Sequence, residues 1–173
     1  MTNGMDISLR KERTDDIEAI DQLNREAFNS TDEPKLVKLL RGRDELLVSL
    51  VAVGDAKIVG HVCASPVKVD GHDYSIAGIG PLAVNESHRK QGIGAMLMEE
   101  TIKLLRDGGF IAAVVLGSPK YYPRFGFSPG AEFGLQNEYY AGDSFMVMEL
   151  QPNSLDPVSG MARYVSAFAE CGA

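Results

Sequence analysis

The residues best suited to chemistry lie in the turn from Asn85 to Gly94, which reads NESHRKQGIG. A strand-like apolar segment precedes this turn, and a helical pattern follows it. The first N–H groups of a helix lack intrahelical partners, and the helix dipole places partial positive charge there. Gly92 and Gly94 would let a phosphate approach the backbone, with Arg89 and Lys90 as cations beside it. The turn therefore predicts an anion site, although an ordinary solvated basic turn would show the same pattern.

Two better-known phosphate motifs do not apply. The stretch GIGPLA from Gly78 matches the dinucleotide fingerprint G-x-G-x-x-A. That fingerprint needs glycines that open a helix and an acidic residue about 20 residues later at the end of a strand. Here the glycines lie in the strand-like segment with Pro81, and Glu99 and Glu100 fall on a helix. The Walker pattern G-x-x-x-x-G-K-[ST] does not occur, so both nucleotide motifs are excluded.

The cysteines and histidines do not form a metal-binding pattern. Cys63 and Cys171 are far apart, and the three histidines do not fall at ligand spacing with them. We therefore expect no metal site. Cys63 is compatible with a buried structural thiol and with a Cys–His nucleophilic pair.

Composition and charge exclude several classes of protein. The 173 residues are 45% hydrophobic and 24% charged, as in an ordinary globular protein, and predict a single domain over residues 1–173. A net charge of −7 argues against a general binder of nucleic acid or of anionic membranes. The chain shows neither an apolar signal region nor a run as long as a membrane span, so we expect a cytoplasmic location.

The first half of the chain predicts the sheet that must position the turn. Residues 1–6 are expected to be disordered, and residues 7–10 alternate like a first strand. Two helices are expected between residues 15 and 42. Two β-rich runs then meet at a hairpin turn, and a second turn at Asp70-Gly71 leads into the strand that ends at Val84.

The second half begins with an amphipathic helix from Gly92 to about Asp107, which Gly108-Gly109 ends. The apolar run from Ile111 to Leu116 is typical of a strand covered on both faces. Strand, helix and strand in this order predict a right-handed parallel crossover.

The remaining segments complete the predicted fold. Residues 120–127 indicate a short helix or turn. Residues 131–135 and 144–150 indicate two closing strands, and residues 153–173 an extension packed on the body. The order is β-α-α-β-β-β-α-β-α-β-β. This is a mixed, mostly antiparallel α/β (α+β) architecture, with about seven strands flanked by helices.

Two motifs within this framework resemble the GCN5-related N-acetyltransferase (GNAT) family. One is Arg89-x-x-Gly92-x-Gly94 after an apolar strand, and the other is YYPRFGF, from Tyr121 to Phe127. The combination of GIGPLAV with YYPRFGF is most similar to the YhbS-like branch of that family. The predicted order of elements matches the family over most of the chain.

This resemblance implies acetyl transfer from acetyl-CoA, as co-substrate, to an amine. It implies that backbone N–H groups of the glycine-rich turn hold the pyrophosphate and that the end of the central strand binds pantetheine. Family members often break that strand, which Gly78, Gly80 and Pro81 would permit here. Ser118 would contact the cofactor or acceptor, or would cap a helix. The implied cofactor-binding residues are Leu82, Ala83, Val84, Arg89, Lys90, Gln91, Gly92, Ile93, Gly94 and Ser118.

Tyr122 is the implied catalytic acid, which would protonate the departing thiolate. The alternative is a packing tyrosine with a hydrogen-bonded hydroxyl, and Tyr121 is the neighbour most easily confused with it. No general base is identified, because Glu86 and His88 fit solvated loop residues. The expected acceptor is the amine of a small molecule, contacted by the helices between residues 15 and 42. A protein N-terminus or a lysine remains an alternative acceptor, and a non-catalytic CoA sensor remains an alternative function. The sequence is also compatible with a homodimer.

Overall fold

The computed structural model describes residues 6–172, whose strands form a mixed nine-stranded sheet. The predicted disordered start, residues 1–6, falls outside the described residues except for Asp6. The strands are β1 (Ile7–Lys11), β2 (Val48–Gly54), β3 (Lys57–Val69), β4 (His72–Val84), β5 (Ala112–Leu116), β6 (Ser128–Pro129), β7 (Leu135–Asn137), β8 (Phe145–Glu149) and β9 (Gly160–Tyr164). The helices are α1 (Ile17–Phe28), α2 (Asp32–Gly42), α3 (Ile93–Asp107) and α4 (Ala167–Glu170).

The sheet order is β1-β2-β3-β4-β5-β8-β6, and β9 joins both β3 and β7. Neighbouring strands are antiparallel except β4 with β5 and β7 with β9. The parallel pair β4–β5 is joined through α3, as the crossover prediction required. The mixed, mostly antiparallel architecture is confirmed, with nine strands in the described part of the chain where about seven were expected.

Helices cover the sheet on both faces, because its strands alternate apolar residues to either side. In β2, Leu50 and Ala52 pack with α3, whereas Val51 packs in the cluster that contains α1, α2 and α4. The amphipathic helix α3 buries Ile93 and Leu97 on the first of these faces. None of the helices within residues 6–172 has the length and apolar character needed to span a bilayer.

The segment after β5 differs from its prediction in one place. The expected strand at residues 131–135 is wrong, because Gly130–Phe133 forms a 3-10 turn that ends at Gly134 in a left-handed conformation. The short strands β6 and β7 flank this turn. Its alanine and phenylalanine imitate a strand pattern, but the flanking glycines favour a turn. The strand predicted at residues 144–150 is present as β8, and Tyr122–Phe125 forms the short helix expected within residues 120–127.

The C-terminal segment extends the sheet and one face of the core. β9 pairs with residues 67–69 of β3, beyond the last residue of β3 that pairs with β2. The rings of Tyr164 and Phe168 pack with centroids 4.6 Å apart. Both rings belong to the core cluster that contains α1 and α2, so this segment forms part of the wall next to those helices.

Candidate active site

Strand β4 separates from β5 partway along its length. Their parallel pairing stops at Gly78, and the register between β3 and β4 shifts immediately afterwards, so that Gly80 and Pro81 bulge from the ladder. In the described part of the chain, residues 82–84 then pair with β3 on one edge and with no strand on the other. Backbone groups on that free edge are available to a ligand that binds like an added strand.

Buried residues hold this break in place. The thiol of Cys63, fully buried on β3, donates a hydrogen bond to the Gly80 carbonyl at 3.3 Å. Burial raises the pKa of Cys63 to about 12, so the thiol is structural rather than nucleophilic. Gly78 does not form the bulge. A Cβ at Gly78 would overlap the Tyr164 ring, so the glycine makes room for that aromatic side chain.

The turn before α3 has the backbone geometry of an anion site. Lys90 (φ 63°) and Gly92 (φ 81°) have positive φ, and the residue between them does not. Alternation of this kind turns successive N–H groups toward one concave side. The first hydrogen bond of α3 runs from Met96 N–H to the Gly92 carbonyl, so the N–H groups of residues 93–95 lack intrahelical partners. The first turn of α3 contains no acidic residue to compete for them.

A cleft of about 620 Å³ lies between this turn and the free edge of β4. Eight of the ten predicted cofactor-binding residues line it: Leu82, Ala83, Val84, Arg89, Lys90, Gly92, Ile93 and Gly94. The structure therefore brings together the two segments that the resemblance paired.

The other two predicted residues, Gln91 and Ser118, do not line the cleft. Gln91 is exposed. The Ser118 hydroxyl accepts a hydrogen bond from Lys120 N–H at 3.2 Å, and its carbonyl accepts from the N–H groups of Tyr121 and Tyr122. Of the two alternatives for Ser118, this geometry matches capping of the turn that carries both tyrosines.

Cations gather at this cleft although the whole chain carries a net charge of −7. The Arg89 guanidinium donates to the carbonyls of Ala27 and Val84 at 3.2 and 3.3 Å, and so links the end of α1 to the turn. The Arg124 guanidinium lies 4.3 Å from the centroid of the Tyr121 ring and also lines the cleft. With Lys90, these side chains favour an anionic ligand. Arg124 belongs to the YYPRFGF motif, but nothing in its sequence position predicted a role in the cleft.

A second cavity, of about 240 Å³, adjoins the cleft at Phe28 and Leu82, which line both spaces. We call it the apolar cavity. It is lined by residues from α1, α2, β4, β5, β9, α4 and the segment after β5. Its lining includes Phe28, Glu33, Leu36, Leu116, Tyr122 and Phe168. The helical region predicted to contact the acceptor supplies the first three of these side chains.

The two neighbouring tyrosines lie in different spaces. Tyr121 lines the cleft and Tyr122 lines the apolar cavity. The Tyr122 ring packs edge-to-face against Tyr121 and Phe127, with centroids 5.1 and 6.0 Å apart. Burial, with a smaller contribution from Tyr121, raises the pKa of Tyr122 above its ordinary value. Its hydroxyl therefore remains protonated at neutral pH and can serve as a proton donor.

The turn residues considered as bases do not reach the apolar cavity. Glu86 is exposed, and His88 lies on the cleft side, where its Nδ1 is 3.0 Å from the Ser87 hydroxyl. Neither side chain is among those that line the space next to Tyr122.

Comparison with known proteins yields a family and close structural relatives. The family model described as the acetyltransferase (GNAT) family matches residues 17–127. The uncharacterized N-acetyltransferase YhbS of Escherichia coli K12 is 38% identical over 162 residues, which cover 92% of this chain and 97% of that protein.

Two solved structures are similar over nearly the whole chain. The crystal structure of E. coli YhbS in complex with CoA matches with a TM-score of 0.93 and 36% identity, covering 98% of this chain and 95% of that one. A GNAT family acetyltransferase from Brucella melitensis in complex with acetyl-CoA matches with a TM-score of 0.81 and 32% identity, covering 94% and 98%.

Proposed function

Because the chain belongs to the GNAT family and is an N-acetyltransferase with acetyl-CoA as its co-substrate, we propose that its acceptor is the primary amine of a small molecule. The observation that carries this proposal is the junction of the cleft and the apolar cavity at Phe28 and Leu82. A donor in the cleft and an acceptor in the cavity would meet there. Tyr122 lines the cavity that opens at this junction.

The cleft is the proposed site of acetyl-CoA. Backbone N–H groups of residues 92–95 would hold the pyrophosphate, since their concave arrangement suits an anion. The free edge of residues 82–84 would bind the pantetheine amides as an added strand. Two structures at more than 30% identity to this chain are described as complexes with CoA and with acetyl-CoA, which supports this placement.

Tyr122 is the proposed general acid. The amine attacks the thioester carbonyl, the C–N bond forms and the C–S bond breaks, and the Tyr122 hydroxyl protonates the departing sulfur. The amine nitrogen then releases its surplus proton, and the phenolate is reprotonated. Burial disfavours a negative charge on sulfur as it does on the phenol oxygen. The same surroundings would therefore raise the pKa of both groups, so that a proton can pass from Tyr122 to the departing sulfur.

The acceptor must arrive at the junction without its ammonium proton, because the cation has no lone pair and an alkylamine has a pKa of about 10. Water in the open cleft is the proposed carrier of that proton. This step explains why the site needs no dedicated base in the turn after β4.

The dimensions of the apolar cavity favour a small acceptor over a protein segment. Its volume of about 240 Å³ lies below the roughly 300–1,000 Å³ of sites for drug-sized ligands. Placement of Tyr122 in the cavity wall also supports catalysis rather than CoA sensing alone. We further propose a cytoplasmic location, since both cysteines are free thiols, as is usual in a reducing compartment.

Calorimetric titration with acetyl-CoA, with NADH and ATP as controls, tests the cofactor site. Binding of acetyl-CoA alone supports the placement in the cleft. Release of free CoA thiol in the presence of small amines, compared with peptides that carry a free N-terminus or lysine, then tests the acceptor. Thiol release with peptides only would contradict the small-molecule proposal.

A further inference from the structure

The apolar cavity contains a single charged side chain among its described lining residues, that of Glu33. All other side chains in its lining are apolar, or are the tyrosines Tyr122 and Tyr164. Glu33 is half-buried, and its Oε2 atom is fully buried without a hydrogen-bond partner among the described residues. More than nine in ten buried polar groups in folded proteins do have a partner, and an unpaired one is costly. The unpaired carboxylate oxygen therefore points to a ligand that supplies the missing donor.

The position of Glu33 in the fold explains how it can remain there. It is the second residue of α2 and lies in the first turn of that helix, where the dipole favours negative charge. Its neighbour Asp32 occupies the same turn but is exposed and does not line the cavity. Two adjacent carboxylates on the same helix end thus face different surroundings. Only Glu33 is available to a molecule in the cavity.

We infer that Glu33 binds the amino group of the acceptor, an inference that rests on the proposed function. The group would enter the cavity as an ammonium paired with Glu33 and would react as the neutral amine after its proton has passed to water. The apolar walls bind the hydrocarbon part of the same molecule, which packs against Phe28, Leu36 and Phe168. No lysine, arginine or histidine within residues 6–172 lines this cavity. A carboxylate on the acceptor would thus be buried beside Glu33 without a cation to pair it.

The substrate class follows from these features. It is a compact primary amine with an alkyl or arylalkyl body and without a free carboxylate, which excludes free α-amino acids. Phe28 and Leu116 are each 37% exposed although both are large and apolar, and both line the cavity. An apolar body in the cavity would cover them, which matches the hydrocarbon part of the proposed acceptor.

Three probes separate the features of this acceptor: 2-phenylethylamine, phenylalaninamide and phenylalanine. They share an aromatic body and an amino group, and only phenylalanine carries a carboxylate. We would measure their dissociation constants on the CoA-saturated protein by calorimetry, and their kcat and KM by thiol release. The wild-type protein should bind both carboxylate-free amines roughly 10-fold or more tightly than phenylalanine, since burial of a charged group without a partner costs at least about that much in affinity.

Glu33→Gln keeps the shape of the side chain and removes its charge, and Asp32→Asn is the matched control on the same helix turn. Glu33→Gln should raise KM for 2-phenylethylamine roughly 10-fold or more and reduce the discrimination against phenylalanine. Asp32→Asn should change neither value. Melting temperature and affinity for acetyl-CoA, measured on both variants, confirm that each protein is folded with an intact donor site.

Three results would contradict the assignment of Glu33 to the amino group of the acceptor. Equal affinity for phenylalaninamide and phenylalanine in the wild-type protein, failure to bind any of the three probes, or unchanged constants in Glu33→Gln would each overturn it. These results are distinct from failure of the proposed function, which would appear as no binding of acetyl-CoA. The function would survive if acetyl-CoA binds and other amines release thiol while the Glu33 variant behaves like the wild-type protein.

Discussion

The cleft and the apolar cavity meet at Phe28 and Leu82, but they are built in different ways. Most of the cleft lining comes from a single stretch, residues 82–95. The cavity lining is spread from residue 28 to residue 168. The cleft presents backbone N–H groups and cations, whereas the cavity presents apolar side chains and a single carboxylate.

This contrast corresponds to two kinds of recognition. Backbone donors at a helix start bind an anionic group whatever the neighbouring side chains are. Side chains that line a cavity determine which molecule fits, and each can change independently of the others. Recognition by backbone donors suits a co-substrate that many proteins share. Recognition by side chains suits an acceptor that is particular to one protein.

The largest effect that would test this contrast is expected from Gly92→Val. Gly92 lines the cleft, and no atom lies within 4 Å of a Cβ added there, but its left-handed backbone disfavours a β-branched residue. Loss of the backbone donors should weaken acetyl-CoA binding roughly 100-fold or more, since each charge-assisted hydrogen bond contributes about 1.5–3 kcal/mol. Calorimetric titration measures this change.

Gly71→Val is its matched control. Gly71 also has a positive φ, at 79°, with open space around the added side chain, but it lies in the turn between β3 and β4. Backbone strain should lower the melting temperature of Gly71→Val as it does that of Gly92→Val. Gly71→Val should nevertheless bind acetyl-CoA with normal affinity. Equal losses of binding in both variants would remove the phosphate role from the turn.

Tyr122→Phe tests whether a residue that lines the apolar cavity acts in catalysis without binding acetyl-CoA. Without the hydroxyl, kcat should fall roughly 100-fold, while affinity for acetyl-CoA should barely change, because Tyr122 does not line the cleft. Tyr74→Phe, an exposed tyrosine on β4, is the control and should leave both constants unchanged. Full activity in Tyr122→Phe would exclude this residue as the acid.

The pH dependence of the rate gives a separate measure of Tyr122. Because the acid must be protonated and its pKa is raised above its usual value of about 10, activity should rise from pH 6 to pH 9 as the amine loses its proton. It should fall only above about pH 10, as Tyr122 ionises. A pH profile of kcat/KM checks this, and a decline that begins below pH 9 would contradict the assignment.

A smaller effect is expected from Cys63→Ala, which acts on the break that separates the two spaces. It removes the hydrogen bond to Gly80 and leaves a small void, so unfolding free energy should fall by about 1–2 kcal/mol and KM for acetyl-CoA should rise a few-fold. Cys171→Ala, at another buried cysteine, should lower stability without a change in KM. Denaturant titration and steady-state kinetics distinguish these outcomes.

Thiol labelling tests the structural assignment of Cys63 directly. A buried thiol with a pKa of about 12 carries almost no thiolate at pH 8, so the folded protein should resist alkylation at Cys63. The unfolded protein should react at once. Rapid labelling of Cys63 in the folded protein would contradict the structural assignment and support a nucleophilic role.

Much of the fold and of the cleft could be predicted because the signals are local. The motif around Arg89 and Gly92, the amphipathic pattern of α3 and the hairpin turns each depend on neighbours within a few residues. Eight of the ten predicted cofactor-binding residues line the cleft for that reason. The prediction of a strand at residues 131–135 was wrong because Gly130 and Gly134 favour a turn. The alternation of apolar and polar residues between them is too short to outweigh that preference.

The sequence by itself therefore determined the family, the parallel crossover and the glycine-rich turn, since each is encoded in contiguous residues. Only the tertiary structure separated Tyr121 from Tyr122, placed Arg124 in the cleft, and joined Glu33 to Tyr164 and Phe168. Glu33, Tyr164 and Phe168 lie far apart along the chain, and nothing in their spacing indicates that they line one cavity. Burial and the loss of a hydrogen-bond partner at Glu33 arise only when helices, strands and the C-terminal segment pack around one space.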